Sequence, residues 1–565
     1  MLLSSVNVMF EKEIIKALQK QVKGDIVLEA PPDPNLGDYA FPCFQLAKSL
    51  KKSPVEIAKE LVKSIPMPDI VSKITATGPY VNFFLDPAKV AKALLAEIID
   101  RKDKFGSSDE GKGKVAAIEY SSPNIGKPMH FGHLRSTVIG ESLSRLHEFT
   151  GFKVIRLNYL GDWGTQFGKL IYAYLQWGDK KQMDVCPIKH LVELYVKFNE
   201  HAEKNEKLNE YARDWFLKLE KGDKEALSLW SKFKHHSLDE FRKIYEILGV
   251  EFDDYNGESY YAPKVDAAIS VIQKNKLSEI DQGALIVRLK GHEMPMMLKK
   301  NNESTTYASR DVATLLDRIE VLKFDTILYV VGHEQSLHFK QLFDLMKLLG
   351  HNKTYVHVPF GLYLTPEGGK MSTREGKTVF MEDVLAETIA LAKSTIEEKN
   401  PDLKNKNEVA RQVAVGAIFF GDLLNDRTKD VVFDIKRILS FEGDTGPYLL
   451  YTHARAASIL RKVKRKPSKD ADFSLLQDSS EQRVIKLISK FPAAIKDSVA
   501  QYKPHILAQY LIEFGRAFNE FYHKCPCAQE KDTDIQLARL TLIESSRQLI
   551  ENGLRLLGIE APSEM

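Results

Sequence analysis

The sequence predicts an α/β core built on a parallel sheet, with a small α+β unit before it and an all-α bundle after it. Three observations predict this. Between residues 114 and 385, short β-favouring apolar runs alternate with helix-spaced runs, the pattern of β-α-β units. Residues 1–110 mix helical runs with short alternating runs. From 386 to 565 the apolar period is helical almost throughout.

The bulk properties bound the answer. A chain of 565 residues is long enough for roughly three to five domains. Hydrophobic residues at 44% and charged residues at 28% fit an ordinary soluble globular protein. The net charge of +3 is small, so any nucleic-acid surface has to be a local patch. Four cysteines, Cys43, Cys186, Cys525 and Cys527, are too few for a disulfide framework and lack zinc spacing. With no signal-peptide pattern and no apolar run of membrane-spanning length, the expectation is a cytoplasmic protein without a membrane partner.

In the first unit, 10–21 has helical spacing and 26–29 reads as a short strand. Residues 31–44, P-P-D-P-N-L-G-D-Y-A-F-P-C-F, read as a loop. Helices are expected at 45–51 and at 54–64, the second with Ser53 as cap and Pro54 in its first turn. Runs 70–77 and 80–85 alternate like paired strands across Gly78-Pro79. Residues 102–113 read as a linker.

The core opens with a β-favouring run at 115–120. Polar turn residues follow, then His130-Phe131-Gly132-His133 and a helical run over 134–148. In an open parallel sheet, ligands sit beyond the carboxyl ends of the strands. A helix N-terminus offers free N–H groups to phosphate. Two imidazoles one glycine-turn apart can donate to one anion, and Gly132 removes a side chain that would block close approach. The competing readings are a polar turn or zinc, but zinc needs more ligands than lie near.

A second strand is expected at 153–157. The loop that follows, L-N-Y-L-G-D-W-G-T-Q-F-G at 157–168, suits either close approach of backbone to a ligand or a tight turn packed by Trp163. Residues 181–300 interrupt the sheet with helices over 188–248, a turn- and strand-like stretch at 250–261 and a strand at 283–289. Their charge runs read as solvated faces. Then S-T-T-Y-A-S-R-D-V-A leads into a helix, with Tyr307 and Asp311 four apart on one face. Strands at 326–331 and 355–358 flank G-H-E-Q-S-L-H-F, which opens a helix with Gln335 near its first turn. The loop Y-L-T-P-E-G-G-K-M-S-T-R-E-G-K, 363–377, is glycine-rich and cationic. Lys370, Arg374 and Lys377 could reach a triphosphate. Beyond it, long amphipathic helices are expected at 408–424, 448–461 and 536–557.

These motifs carry a resemblance. His130-Phe131-Gly132-His133 resembles the His-x-Gly-His signature of class I aminoacyl-tRNA synthetases, which stand on a Rossmann-like fold. The string Ser-Ser-Pro-Asn-Ile-Gly-Lys-Pro before it, and the loops at 157–168 and around Asn35, resemble those of arginyl-tRNA synthetases. Lys370-Met371-Ser372-Thr373-Arg374 resembles the second signature, Lys-Met-Ser-Lys-Ser, with Thr373 in place of the second lysine. G-P-Y-L-L-Y-T-H-A-R-A at 446–456 looks like the entry to the family's anticodon-binding bundle.

The resemblance implies four parts: an N-terminal tRNA-contacting domain (1–110), a catalytic domain (114–385) with an insertion at about 181–300, a helical connector (386–445) and an anticodon-binding domain (446–565). It implies ATP-dependent ligation of L-arginine to its tRNA through an arginyl-adenylate. His130, Gly132, His133, Lys370, Met371 and Ser372 would bind ATP, with Mg2+ accompanying the nucleotide and no structural metal. Pyrophosphate leaves with growing negative charge, so a cation is still needed where Thr373 stands. Lys127 is the first candidate and Arg374 the second.

A guanidinium is a flat fork of donors that prefers carboxylates. Glu119, at the end of the first strand, and Asp311, beside Tyr307, would supply them. An ion pair with Arg135 or Arg310 is the competing role for either acid. Ser121 and Asn124 would hold the amino-acid end, and Gln335 would help the fork. Asn35, Tyr448, Tyr451 and Arg455 would meet tRNA, and the basic run of Arg461, Lys462, Lys464, Arg465, Lys466 and Lys469 could add phosphate contacts. A monomer is expected. The alternatives are a synthetase for another amino acid, a small nucleotidyltransferase, or a non-catalytic RNA-binding scaffold. The paired acids, the flanking domains and the intact signatures speak against each in turn.

Overall fold

The computed structural model describes residues 5–29, 31, 33–366, 368–369, 373–374 and 377–565, with 5–9, 34, 373–374 and 377–378 as backbone alone. In the N-terminal unit, strand Tyr80–Leu85 lies between Tyr39–Pro42 and Val71–Thr77, all antiparallel. Helix Pro54–Ser64 packs on this sheet, and Ser53 and Glu56 cap it reciprocally. The expected strand at 26–29 does not form: Glu29 makes a single bridge to Ala40. Its place is taken by Tyr39–Pro42, inside the expected loop, because Ala40 and Phe41 are the residues that bury against the sheet.

Helix Pro87–Arg101, capped by Asp86, closes the unit, buries Leu94, Leu95 and Ile98, and packs against the C-terminal bundle. The segment 102–113 is not a free linker. Phe105 is fully buried and stacks on Phe491, with ring centroids 5.9 Å apart. Asn552 donates to the Lys102 carbonyl at 2.9 Å.

The core sheet contains β1 (Val115–Glu119), β2 (Lys153–Leu157), β3 (Thr326–Gly332) and β4 (Thr354–Phe360). All pair in parallel, in the order β4-β3-β1-β2. The chain runs from β1 outward to β2, then returns to the other side of β1. The strand order therefore reverses between β1 and β3, where an open sheet leaves a crevice at its carboxyl rim. Helix α1 (Gly132–Phe149) follows β1 and is buried along nearly its whole length. One side covers the sheet. The other meets the C-terminal bundle, where Ser142 donates to the Leu556 carbonyl at 3.1 Å.

Helix α2 (Thr165–Trp177) leads into the insertion of helices Pro187–Lys204, Lys207–Glu220 and α3 (Lys224–Leu248). A small antiparallel sheet, 279–299, follows. The stretch 250–261 is strand-like only at one bridge, Leu157 to Asp254, and ends in the short helix Glu258–Tyr261. Helices α4 (Tyr307–Leu322) and α5 (Ser336–Leu348) flank β3 in sequence. The C-terminal bundle comprises Lys406–Leu423, α6 (Gly446–Lys462), Ser479–Ala500, His505–Lys524 and α7 (Thr533–Leu556), joined in one apolar core. No helix among the described residues is long and apolar enough to cross a membrane.

Candidate active site

The rim is built around the turn between β1 and α1. Ser121 and Ser122 both have positive φ, 69° and 51°, which L residues adopt only at a cost. The surroundings hold them there. Ser121 N–H donates to Ser136 Oγ at 3.0 Å, and that hydroxyl donates to the Val330 carbonyl at 2.7 Å, joining loop, α1 and β3. Ser121 Oγ is engaged by Tyr245 Oη (2.7 Å) and Thr137 Oγ1 (3.0 Å), so its hydroxyl faces the protein rather than the crevice. Ser122 Oγ is buried without a hydrogen-bond partner among the described residues. Asn124 is exposed and lies against Gly161, where a Cβ would come within 2.0 Å of Asn124 Oδ1. The neighbouring Trp163 packs edge-on against Phe216 and Trp230, and Asp162 is bonded to Lys234 and Ser259. The 157–168 loop is thus a packed turn that anchors the insertion.

The two histidines stand together at the start of α1, ring centroids 3.7 Å apart. Gly132 N–H donates to His130 Nδ1 at 3.1 Å, which leaves the His130 proton on Nε2. Burial, and then Lys127, push His130 below the usual imidazole range. Burial, and then His130, lower His133 to about 3. Both rings are therefore neutral near pH 7, acting as dipolar donors rather than cations. His133 Nδ1 is buried with no partner among the described residues. Lys127 is exposed, its Nζ 5.2 Å from the Tyr195 ring centroid.

The acids lie across the crevice. Glu119 is buried, and its Oε2 accepts from Arg318 Nη1. The competing ion-pair role is thus realised for Glu119, with Arg318 in place of Arg135 or Arg310. The Arg318 guanidinium sits among Tyr159, Tyr261 and Tyr329, 5.5–5.9 Å from their ring centroids. Asp311 Oδ2 is 2.6 Å from His338 Nε2, and the Tyr307 ring stands edge-on to the same imidazole at 4.9 Å. Tyr307 and Asp311 share a helical face as expected, and His338 is what joins them. Arg310 faces Glu258 at 3.7 Å, and Arg135 faces Asp422 at 3.5 Å. Burial pushes Glu258 up to about 7 against the pull of Arg310, with Asp311 adding to the rise. Gln335 is exposed, in the 3-10 turn His333–Gln335 ahead of α5.

Lys370, Met371 and Ser372 lie outside the described residues. Beside them, Thr373–Arg374 pairs antiparallel with Lys377–Thr378. The exit of this loop is stitched to the histidine turn: Phe131 N–H donates to the Val379 carbonyl (3.1 Å) and Met381 N–H to that of Met129 (2.9 Å). Its entry is held by Arg135, which donates to the carbonyls of Leu362 (3.2 Å) and Lys429 (2.8 Å). Sequence reasoning missed His338, Arg318, Glu258 and this use of Arg135. Each is one partner of a long-range polar pair, and its role depends on a residue far along the chain.

In the bundle, Arg455 donates to Asn519 at 2.6 Å and stacks over Tyr451 and Tyr522 at 4.8 and 5.1 Å. Asn519 donates to Tyr448 Oη at 2.8 Å. Tyr448, Tyr451, Arg455 and Asn519, with Lys399 and Phe441, line a cavity of about 620 Å³. The basic run follows at the end of α6. Arg461 pairs with Glu564, Arg465 with Asp534 and Lys469 with Asp100. Asn35 sits exposed in the turn Pro34–Leu36, its N–H on Asp33 Oδ1.

The reversed strand order, with histidines at its rim and a helical unit behind, places the protein among class I aminoacyl-tRNA synthetases. Residues 94–435 match the family described as tRNA synthetases class I (R), catalytic domain. Residues 5–85 match the arginyl tRNA synthetase N terminal domain, and 449–565 the DALR anticodon binding domain. The chain is 43% identical over 557 residues to an arginine–tRNA ligase of Clostridioides difficile, covering 98% of each. It is 44% identical over 565 residues to that of Alkaliphilus metalliredigens, covering 98% of this chain and 100% of the relative. The solved arginyl-tRNA synthetase of Thermus thermophilus superposes with a TM-score of 0.80 at 27% identity, over 99% of each chain. The chain belongs to the arginyl-tRNA synthetase family.

Proposed function

We propose that this rim performs the family's reaction, the ATP-dependent ligation of L-arginine to its tRNA, with the work divided between its two sides. The chain is an arginine–tRNA ligase, and ATP is its substrate. The arginine carboxylate attacks the α-phosphorus of ATP, pyrophosphate leaves, and arginyl-adenylate forms. A ribose hydroxyl at the tRNA 3′ end then attacks the acyl carbon and AMP leaves. The attacking group of each step belongs to a substrate, so the protein's task is to place charges and exclude water.

On one side, neutral His130 and His133 donate to phosphate beside the N–H groups of α1, with Gly132 allowing close approach. Lys370, Met371 and Ser372 complete this side by their likeness to the second signature, and Lys127 or Arg374 supplies the further cation. On the other side, Asp311 accepts the guanidinium, Tyr307 and Gln335 border it, and Glu119, with one oxygen on Arg318, offers only its other oxygen. Ser121 acts through its backbone, and the exposed Asn124 meets the α-amino group. Magnesium would travel with the nucleotide. Among the described residues no three His, Cys, Asp or Glu side chains are grouped so as to hold a metal ion.

The flat, cationic cavity of Tyr448, Tyr451 and Arg455 suits an unstacked base, and Asn35 would touch the tRNA body. A cytoplasmic location and a monomeric state complete the reading. The unbridged cysteines Cys43, Cys186, Cys525 and Cys527 support a reducing compartment.

The observation that carries the reading is Asp311, an acid on the first turns of α4 with one oxygen held and its side chain 27% exposed toward the crevice. Asp311→Ala is expected to lower kcat/KM for arginine by about 10³-fold or more, the effect of leaving a charged fork unpaired. ATP–pyrophosphate exchange in the presence of tRNA measures this, with the melting temperature as the control for folding. Near-normal arginine use by a folded variant would remove Asp311 from the pocket.

A further inference from the structure

We propose that His338 is a positioning residue for arginine: it grips one carboxylate oxygen of Asp311 so that the other is presented, in a fixed plane, to the substrate guanidinium. The proposal rests on Asp311 being the guanidinium acceptor. His338 is 7% exposed and lies in the first turn of α5, while Asp311 lies in the first turns of α4. Their bond, His338 Nε2 to Asp311 Oδ2 at 2.6 Å, therefore crosses between two helices that both begin at the crevice. A carboxylate only accepts, so Nε2 carries the proton whether the ring is neutral or charged.

The imidazole is itself held. Tyr307 stands edge-on at 4.9 Å and Phe339 at 5.4 Å, so the donor has little freedom to turn away. Asp311 accepts no other hydrogen bond among the described residues. An ionised carboxylate has about four acceptor positions, and one partner leaves the second oxygen open. Without the clamp, rotation about the bond to the carboxyl group is broad and two-fold, and a two-pronged guanidinium would have to order it on binding. Glu119 is treated in the same way, its Oε2 tied to Arg318. Both acids thus have one oxygen committed to a caged donor of the protein's own.

Three variants test this. His338→Gln keeps an N–H near the Nε2 position. His338→Phe keeps the ring without a donor, and His338→Asn keeps an amide too short to reach Oδ2. In tRNA charging, His338→Phe and His338→Asn are expected to raise KM for arginine about 10- to 100-fold, the range for a lost hydrogen bond to a charged group. KM for ATP and kcat should stay within a few-fold, and His338→Gln should restore most of the arginine KM. An unchanged arginine KM in whichever of His338→Phe and His338→Asn is folded, with Asp311→Ala inactive, overturns the clamp and leaves the acceptor reading standing. Equal losses in all three variants, or a parallel rise in KM for ATP, also overturn it, by pointing to packing. An active Asp311→Ala removes the acceptor reading and the clamp together.

Discussion

At the scale of single residues, burial moves several groups of the proposed site away from their solution behaviour. His130 and His133 would each be partly charged at neutral pH in water, yet burial keeps both neutral. A neutral donor stabilises charge that develops on phosphate without having to lose a proton as the substrate arrives. Glu258 moves the other way, up to about 7, through burial with Asp311 nearby. Because its folded pKa lies above the unfolded value, the folded state binds the proton more tightly. That contribution to stability is present below the ordinary carboxylate range and is lost as pH rises through about 7. The same deprotonation adds negative charge beside Asp311. The arginine KM is therefore expected to fall severalfold between pH 6 and pH 8. In Glu258→Gln the profile should be flat across that window, and an unchanged slope in the variant would separate Glu258 from the pocket.

At the scale of elements, the start of α4 shows how local chemistry aims the side chains of the proposed pocket. Thr306 accepts from Ser309 N–H, Ser309 Oγ accepts from Thr306 N–H, and the Thr306 hydroxyl donates to the Met297 carbonyl at 2.6 Å. The cap sets where α4 begins, and so where Tyr307 and Asp311 point. Thr306→Ala is expected to cost about 1 kcal/mol of stability, the usual worth of such a cap, and to raise the arginine KM more than the ATP KM. Thermal melting and steady-state charging measure the two effects, and a stability loss with no change in the arginine KM would mean that the cap does not aim the face.

This scale also shows what the sequence discloses. The four core strands, α1, α4 and the bundle helices Lys406–Leu423, α6 and α7 were legible because an apolar period is written in adjacent residues. His130, His133 and Asp311 could be singled out because they lie in a short motif or at a four-residue spacing. His338 and Arg318 were not, since their partners lie 27 and 199 residues away. The same reason hid the true role of 102–113. Phe105 looks like a stray aromatic in a linker until the ring of Phe491 is brought to it. Strand Tyr39–Pro42 was hidden because prolines and glycine around it mark a loop, while its pairing partner, Tyr80–Leu85, lies some forty residues on.

At the scale of the whole molecule, the C-terminal bundle binds both other parts. Its α7 meets α1 of the catalytic core and receives the last helix of the N-terminal unit, with Asn552 and Phe491 holding 102–105. The basic run at the end of α6 belongs partly to this scaffold. Arg461, Arg465 and Lys469 are turned onto Glu564, Asp534 and Asp100, the last in the N-terminal unit, so they are already engaged within the chain. Lys462, Lys464 and Lys466 are exposed and make no ion pair among the described residues. They are the members of the run available to phosphate. Removing one cation from a phosphate should reduce the slope of log affinity against log salt by roughly 0.7–0.9. Replacing all three lysines by glutamine is therefore expected to flatten the tRNA salt dependence by about 2–3 in slope. Arginine activation measured with saturating tRNA should be unchanged, since none of the three is near the rim. Replacing Lys469 should instead loosen the N-terminal unit while moving the slope little. If the triple variant keeps the full slope, the run serves the scaffold and solvent, and tRNA phosphates meet the protein elsewhere.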